Sequence, residues 1–143
     1  MSARKIEGKI WKLWTTHPTQ DSLTNLLAKG SEYMAQNELT SAHNVFSKAI
    51  ELDPNWAEAW NKRATVLYLM GNLELSQSDI DMVLKLEKRH FGALSGQGLV
   101  QMKLKNYEKA LSSYERVKKI YPSMRSPKIM IPQIKELIKD QSV

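Results

Sequence analysis

The 143-residue chain carries 21 Lys and Arg against 15 Asp and Glu, a formal net charge of +6, with 42% hydrophobic residues and no cysteine. That length fits one domain with a continuous core and no separate catalytic domain, and the missing thiols exclude disulfides, thiolate catalysis and zinc–thiolate sites. No apolar run approaches the roughly 18 residues of a membrane span and no leader with an apolar centre is present, so a soluble chain is expected. Its compartment stays open: cytoplasmic by default, or exported or organellar if Met1-Ser2-Ala3-Arg4 is the seam of a removed leader.

The first predicted element lies within residues 1–20. Ile6, Ile10, Leu13 and Trp14 fall on one helical stripe with Trp11 at its edge, Lys5, Lys9 and Lys12 take the other side, and Thr15-Thr16-His17-Pro18 ends the helix. From residue 23 the chain then matches itself in steps of thirty-four. Small residues recur at Gly30, Ala64 and Gly98, each following an apolar position at Leu26, Trp60 or Leu94. The later columns read Ala42, Ser76, Ala110, then Phe46, Ile80, Tyr114, then Ala49, Val83, Val117, and the units close at Pro54, Lys88 and Pro122. A period in this range means a stacked array whose units, about 23–56, 57–90 and 91–124, bury their apolar faces only against neighbours.

Each unit is predicted to be a helix pair, because Leu26, Gly30 and Tyr33 follow i, i+4, i+7 and Ala42, Phe46 and Ala49 repeat that spacing. The pairs break at Asn37-Glu38, Gly71-Asn72 and Lys105-Asn106, where Asn37 and Gly71 suit a left-handed residue and Lys105 is strained. Gly30 and Gly98 are expected to let the partner helix come close, with Phe46 and Tyr114 opposite. Beyond the units, Ser126 is an expected N-cap and Pro127 the first helical residue. Ile131, Ile134 and Ile138 then line one face with Leu137, and Pro132 predicts a kink or a later start.

These columns resemble the tetratricopeptide repeat. The resemblance is carried by Leu26, Gly30, Tyr33, Ala42, Phe46, Ala49 and Pro54 in the first unit, Trp60, Ala64, Gly71 and Ile80 in the second, and Gly98, Tyr107, Ala110, Tyr114 and Pro122 in the third. It covers roughly residues 23–124, and the stretches 60–65 and 89–94 are similar to small bacterial or organelle-derived tetratricopeptide proteins. Lys29, Arg63 and Gln97 stand where the family usually has Leu, and Lys88 where it has Pro, departures expected to weaken individual repeats. The resemblance implies an all-α, right-handed superhelical solenoid of three helix pairs. Arrays of this kind need their terminal apolar faces covered, so the helix within residues 1–20 is expected to cap the first unit and residues 125–143 to form the C-terminal capping helix. A helix on a membrane surface is the alternative for the former, since Trp and Lys on opposite faces suit an interface.

Chemistry-bearing constellations are missing from the sequence. His17, His43 and His90 lie in different units with no second ligand at i+3 or i+4, and Asp79 and Asp81 point to different faces of one helix. Gly92, Gly96 and Gly98 look like a nucleotide fingerprint but follow no strand. No enzyme activity, cofactor, metal site or small-molecule substrate is therefore expected, and function must lie on a surface. The resemblance implies that the first helix of each unit lines a concave groove, through Leu27, Ser31 and Met34, then Asn61, Lys62, Thr65, Tyr68 and Leu69, then Ser95, Leu99 and Met102. Such an apolar strip suits a partner helix or extended peptide, with methionines allowing adaptation. The chain's own terminal helices or a second copy are alternative occupants, so self-association stays open. The family subtype that clamps chaperone C-terminal carboxylates uses Lys and Asn in its first unit, Asn in its second, and Lys and Arg in its third. This chain has Leu27, Ser31, Lys62, Gly92 and Gly96 there, so chaperone tails are not expected partners.

Charge offers a second reading. Net charge runs +3 over residues 1–20, −3 over 21–100 and +6 over 101–143. Lys103, Lys105, Lys109, Lys118 and Lys119 would form a basic surface able to attract nucleic acid or an anionic surface, against the plainer reading of a solvated helix face.

Overall fold

In the computed structural model, which describes residues 3–141, the chain forms α1 (Ala3–Thr15), α2 (Asp21–Ala35), α3 (Leu39–Leu52), α4 (Ala57–Leu69), α5 (Leu73–Leu86), α6 (Phe91–Lys103), α7 (Tyr107–Ile120) and α8 (Arg125–Gln141), with no strand among the described residues. Met1 and Ser2, part of the suggested leader seam, and Ser142 and Val143, the end of the predicted last element, lie outside them. No helix among the described residues is long and apolar enough to cross a membrane. The units pair α2 with α3, α4 with α5 and α6 with α7, and each pair stacks on the next, with α8 laid against α7. The fold is the all-α solenoid that the periodicity and resemblance implied.

Close approach is what the small-residue column provides. A Cβ at Gly30 would stand 2.4 Å from the Phe46 ring and one at Gly98 would stand 2.4 Å from the Tyr114 ring, so the rings occupy the space the glycines leave. Phe46, Ala42 and Ala49 are fully buried, as are Ala110 and Val117 two array steps further on. Burial of Tyr114, with Tyr68 nearby, pushes its phenol up to about 12.

The three breaks share one geometry. Asn37, Gly71 and Lys105 have φ of 60°, 81° and 63°, and the next residue's N–H returns to a carbonyl of the first helix: Glu38 to Tyr33, Asn72 to Leu67 and Asn106 to Gln101 at 2.8–2.9 Å. Lys105 takes this conformation with a Cβ. Lys105→Gly should therefore raise stability by about 1 kcal/mol, read as a higher melting temperature with unchanged helicity; a lower melting temperature would mean the lysine side chain contributes packing that outweighs the strain.

Two expectations need correction. The departures at Arg63 and Gln97 do not leave gaps. The Arg63 guanidinium donates twice to the Asp79 carboxylate, at 2.8 and 2.9 Å, and to Ser47 at 3.3 Å, so a buried acid on α5 is matched by a cation on α4. Gln97 donates to Ser113 and accepts from Gln77, which in turn accepts from Gln101. The leucine positions have been replaced by a polar ladder whose buried side-chain atoms are all satisfied among the described residues.

The second correction concerns the ends. α1 does not cover the first unit. It lies across the second and third units, where Ile10, Trp11 and Trp14 pack with Phe91, Leu94, Val117 and Met124 and the Trp14 carbonyl accepts from the Trp56 indole N–H. Its inward stripe is therefore Ile10, Trp11 and Trp14, while Leu13 (75% exposed) and Ile6 (44%) turn outward. The two indoles decide the orientation: Trp14 stacks on the His90 ring at 3.8 Å and Trp11 meets His90 and Phe91 edge-on, contacts that outward-facing tryptophans would forfeit. At the C-terminal end, on the same third unit, α8 starts at Arg125, so Ser126 lies inside the helix and does not cap it, and Pro132 is accommodated within the helix. Ile131 and Ile134 of α8 are buried against Ala110 and Tyr114.

Candidate partner-binding groove

The first helices of the units, α2, α4 and α6, form one layer and touch in sequence. Between them opens a cavity of about 290 Å³. Tyr68 and Thr65 come from α4, Ser95 and Leu99 from α6, and Met34 from α2. Its floor is Ala64, Ile80 and Val100, and Trp11 of α1 and Met124 close one end. A volume near the lower end of the roughly 300–1,000 Å³ typical of ligand sites admits one or two bulky apolar side chains. Lys62 is the only charged side chain among the described lining residues, and it forms no salt bridge among them.

Seven of the sequence-predicted groove residues meet at this cavity: Met34, Asn61, Lys62, Thr65, Tyr68, Ser95 and Leu99. Four do not. Leu27 is 2% exposed and packs into the core of the first unit with Leu23 and Phe46, because Leu23 and Leu27 form the i, i+4 row that faces α3. Met102 is partly buried and packs against the core formed by Ala110 and Tyr114 of α7 with Ile131 and Ile134 of α8. Leu69 is exposed, but lies with Tyr68, Leu73 and Lys103 around a separate depression near the α4–α5 turn. Ser31 is half-buried and outside the cavity lining.

The basic surface is also divided. Lys103, Lys105, Lys109, Lys118 and Lys119 are all exposed, but the first three surround the α6–α7 turn. Lys118 and Lys119 lie at the opposite end of α7, about 15 Å along its axis, beside Glu115 and Lys135.

Sequence reasoning missed the wall built by α1 and Met124 but placed Gly92 and Gly96, the bare stripe of α6, on the concave side. Gly92 and Gly96 are four apart and so share a face, a signal that was legible as a gap. At Gly92 a Cβ would stand 2.5 Å from the tip of the Trp11 indole, so this glycine is the seat of α1; at Gly96 the nearest atom is Ile80 Cδ1 at 3.7 Å, so that position is open floor.

A buried polar pair holds this end of the groove. Glu58 of α4 and His90 at the start of α6 are 1% and 0% exposed and 2.9 Å apart. His90 Nδ1 accepts from the Ala93 N–H at 3.0 Å, capping α6. A nitrogen that accepts carries no proton, so Nε2–H donates to Glu58 Oε2, while Glu58 Oε1 accepts from Asn61. His17 repeats the arrangement ahead of α2: its Nδ1 accepts from Thr19 and Gln20 and its Nε2 meets Asp53 at 2.6 Å. Both histidines are spent on helix starts. Among the described residues no group of three His, Cys, Asp or Glu gathers as a metal site.

The family descriptions "TPR repeat" and "Tetratricopeptide repeat" match residues 30–71 and 91–124, together more than half of the chain. The chain belongs to the tetratricopeptide repeat family. A TPR repeat-containing protein of Rhizobium etli is 41% identical over 135 residues, covering 94% of this chain and 65% of that protein. This chain thus spans just under two thirds of the length of that tetratricopeptide relative. The first TPR domain of human RPAP3 superposes with a TM-score of 0.81 at 22% identity, covering 84% of this chain and 94% of that one. The first TPR of Spaghetti (RPAP3), solved bound to the HSP90 peptide SRMEEVD, gives a TM-score of 0.79 at 22% identity, covering 82% and 93%.

Proposed function

We propose that this tetratricopeptide array is a non-catalytic interaction module that takes a helix or extended segment of a protein partner along α2, α4 and α6. A bulky apolar side chain of the partner enters the cavity, and a partner carboxylate meets Lys62. The observation that carries this reading is the cavity itself: Tyr68, Leu99 and Met34 present apolar surface there, and Leu99 is 41% exposed. Relatives of this fold include a domain solved with a bound peptide. The peptide-clamping pattern of that subtype is not supported here, because Leu27 is buried and Gly92 and Gly96 offer no side chain.

Replacing Leu99, on the cavity wall, and Leu69, in the depression that shares Tyr68 with the cavity, together with glutamate tests the reading. Both are exposed, so melting should shift by about 0.5 kcal/mol or less per site. A partner captured from native cells by the unmodified chain should bind the variant at least about a hundredfold more weakly, since each glutamate would have to be desolvated against an apolar segment. Lys118→Glu with Lys119→Glu is the control. Loss of binding in the control with normal binding in the groove variant would replace the groove with the charged surface. A change of oligomeric state in the groove variant would place a second copy there.

A further inference from the structure

We propose that the outward face of α1 docks the array onto an anionic lipid bilayer. The helix is amphipathic twice over. Its tryptophans are consumed inward, on His90 and Phe91, yet Ile6 and Leu13 remain exposed along the flank of the helix beside Trp14, each at the edge of a cleft that Trp14 also lines, and Leu13, at 75%, is the most exposed large apolar side chain among the described residues. Residues seven apart share a face and stand about 10 Å apart along the helix axis, so both can enter one plane. Lys9 and Lys12 are exposed around them, with Arg4 at the start of the helix. The single acid of α1, Glu7, is turned toward the array, where it accepts from the Tyr121 hydroxyl at 3.3 Å.

The surface continues off the helix. Ile6 shares an apolar cleft of about 360 Å³ with Ile10, Trp14, Phe91 and Ile120, and Arg89 and Glu87 both line it. An exposed Leu and Ile flanked by Arg4, Lys9, Lys12 and Arg89, against the one exposed carboxyl of Glu87 that lines the clefts beside both, suit a bilayer interface, whose headgroups attract Lys and Arg while its acyl boundary takes the apolar side chains. Nucleic acid would use the cations but gain little from Leu13. Because α1 is pinned through Trp11, Trp14 and the Trp56 indole N–H donated to the Trp14 carbonyl at 3.0 Å, it meets the bilayer as a fixed ridge. This surface is separate from the groove, so either reading can fail alone.

The test is co-sedimentation of the full chain with vesicles of phosphatidylcholine alone and with roughly one third phosphatidylglycerol, at low and high salt. Binding to the anionic vesicles should be at least about tenfold tighter, and added salt should weaken it. Leu13→Glu with Lys9→Glu should weaken it at least about tenfold with helicity and melting unchanged, since both sites are exposed. The milder Leu13→Ala should also weaken it, and the Leu69/Leu99 and Lys118/Lys119 variants should bind as the unmodified chain does. Tryptophan emission should stay put on binding, because the indoles remain docked. Equal binding to both vesicles, or anionic binding that survives the α1 substitutions, would overturn the proposal. So would an RNA oligonucleotide bound as tightly as the vesicles and insensitive to Leu13→Ala, or a blue-shifted emission showing that α1 peels away to insert its tryptophans.

Discussion

Glu58→Ala is expected to destabilise the fold by about 3–5 kcal/mol, the range for breaking a buried pair by removing one partner. Glu58 is 1% exposed and accepts two hydrogen bonds, from His90 and Asn61. Alanine would leave the His90 Nε2–H unpaired where water does not reach, a cost of about 1–3 kcal/mol, and would take from the Asn61 amide, at the edge of the cavity, its acceptor. The damage should spread, because the same imidazole caps α6 and carries the Trp14 ring at 3.8 Å. A melting temperature lower by roughly 10 °C, together with a changed tryptophan emission as α1 loosens, is the expected readout. Glu58→Gln should cost less, since its carbonyl oxygen can still accept from one of the two donors. If Glu58→Ala melts like the unmodified chain, the pair does not hold α4 to α6 and the α1 end of the groove is supported by apolar packing alone.

What the sequence disclosed and what it hid divide along physical lines. The array was legible because stacking imposes one register on every unit, so the columns at Gly30, Ala64 and Gly98 and at Phe46, Ile80 and Tyr114 repeat in the chain as they do in space. The left-handed breaks were legible too, since Asn37 and Gly71 have a backbone reason to be there. The placement of α1 was not. A helical stripe fixes which residues share a face, but Trp11 and Leu13 flank Trp14 on the wheel, and only the His90 and Phe91 rings choose between them. Leu27 was misplaced for a related reason: one helix face must serve both the core of its unit and the groove, and the boundary between the two depends on how α2 is rotated against α3. The partners of Arg63 and Gln97 come from residues 16 and more positions away, so the departures looked like losses until Asp79 and Ser113 stood opposite them.

The three glycines of α6 should separate these layers by experiment, because one added methyl meets a different neighbour at each. Alanine at any of them gains about 1 kcal/mol in helix propensity. At Gly98 the methyl would stand 2.4 Å from the ring of Tyr114, itself 1% exposed and held between α6 and α8, so α6 and α7 must part. Overpacking of this kind costs about 1–3 kcal/mol, and a buried ring with no free rotamer puts Gly98→Ala at the upper end, a net loss of roughly 2 kcal/mol. At Gly92 the clash is with the Trp11 tip at 2.5 Å, which α1 can relieve by lifting, so Gly92→Ala should alter tryptophan emission more than melting. At Gly96 the nearest atom is 3.7 Å away, an ordinary contact, so Gly96→Ala should melt higher by up to about 1 kcal/mol while narrowing the cavity floor. That makes Gly96→Ala a probe of function free of unfolding: if a partner side chain reaches the floor, binding falls in a protein that has become more stable. Gly98→Ala and Gly96→Ala melting alike would mean that α6 and α7 lie further apart than the Tyr114 contact requires, and the close-packing account of the small-residue column would be lost with it.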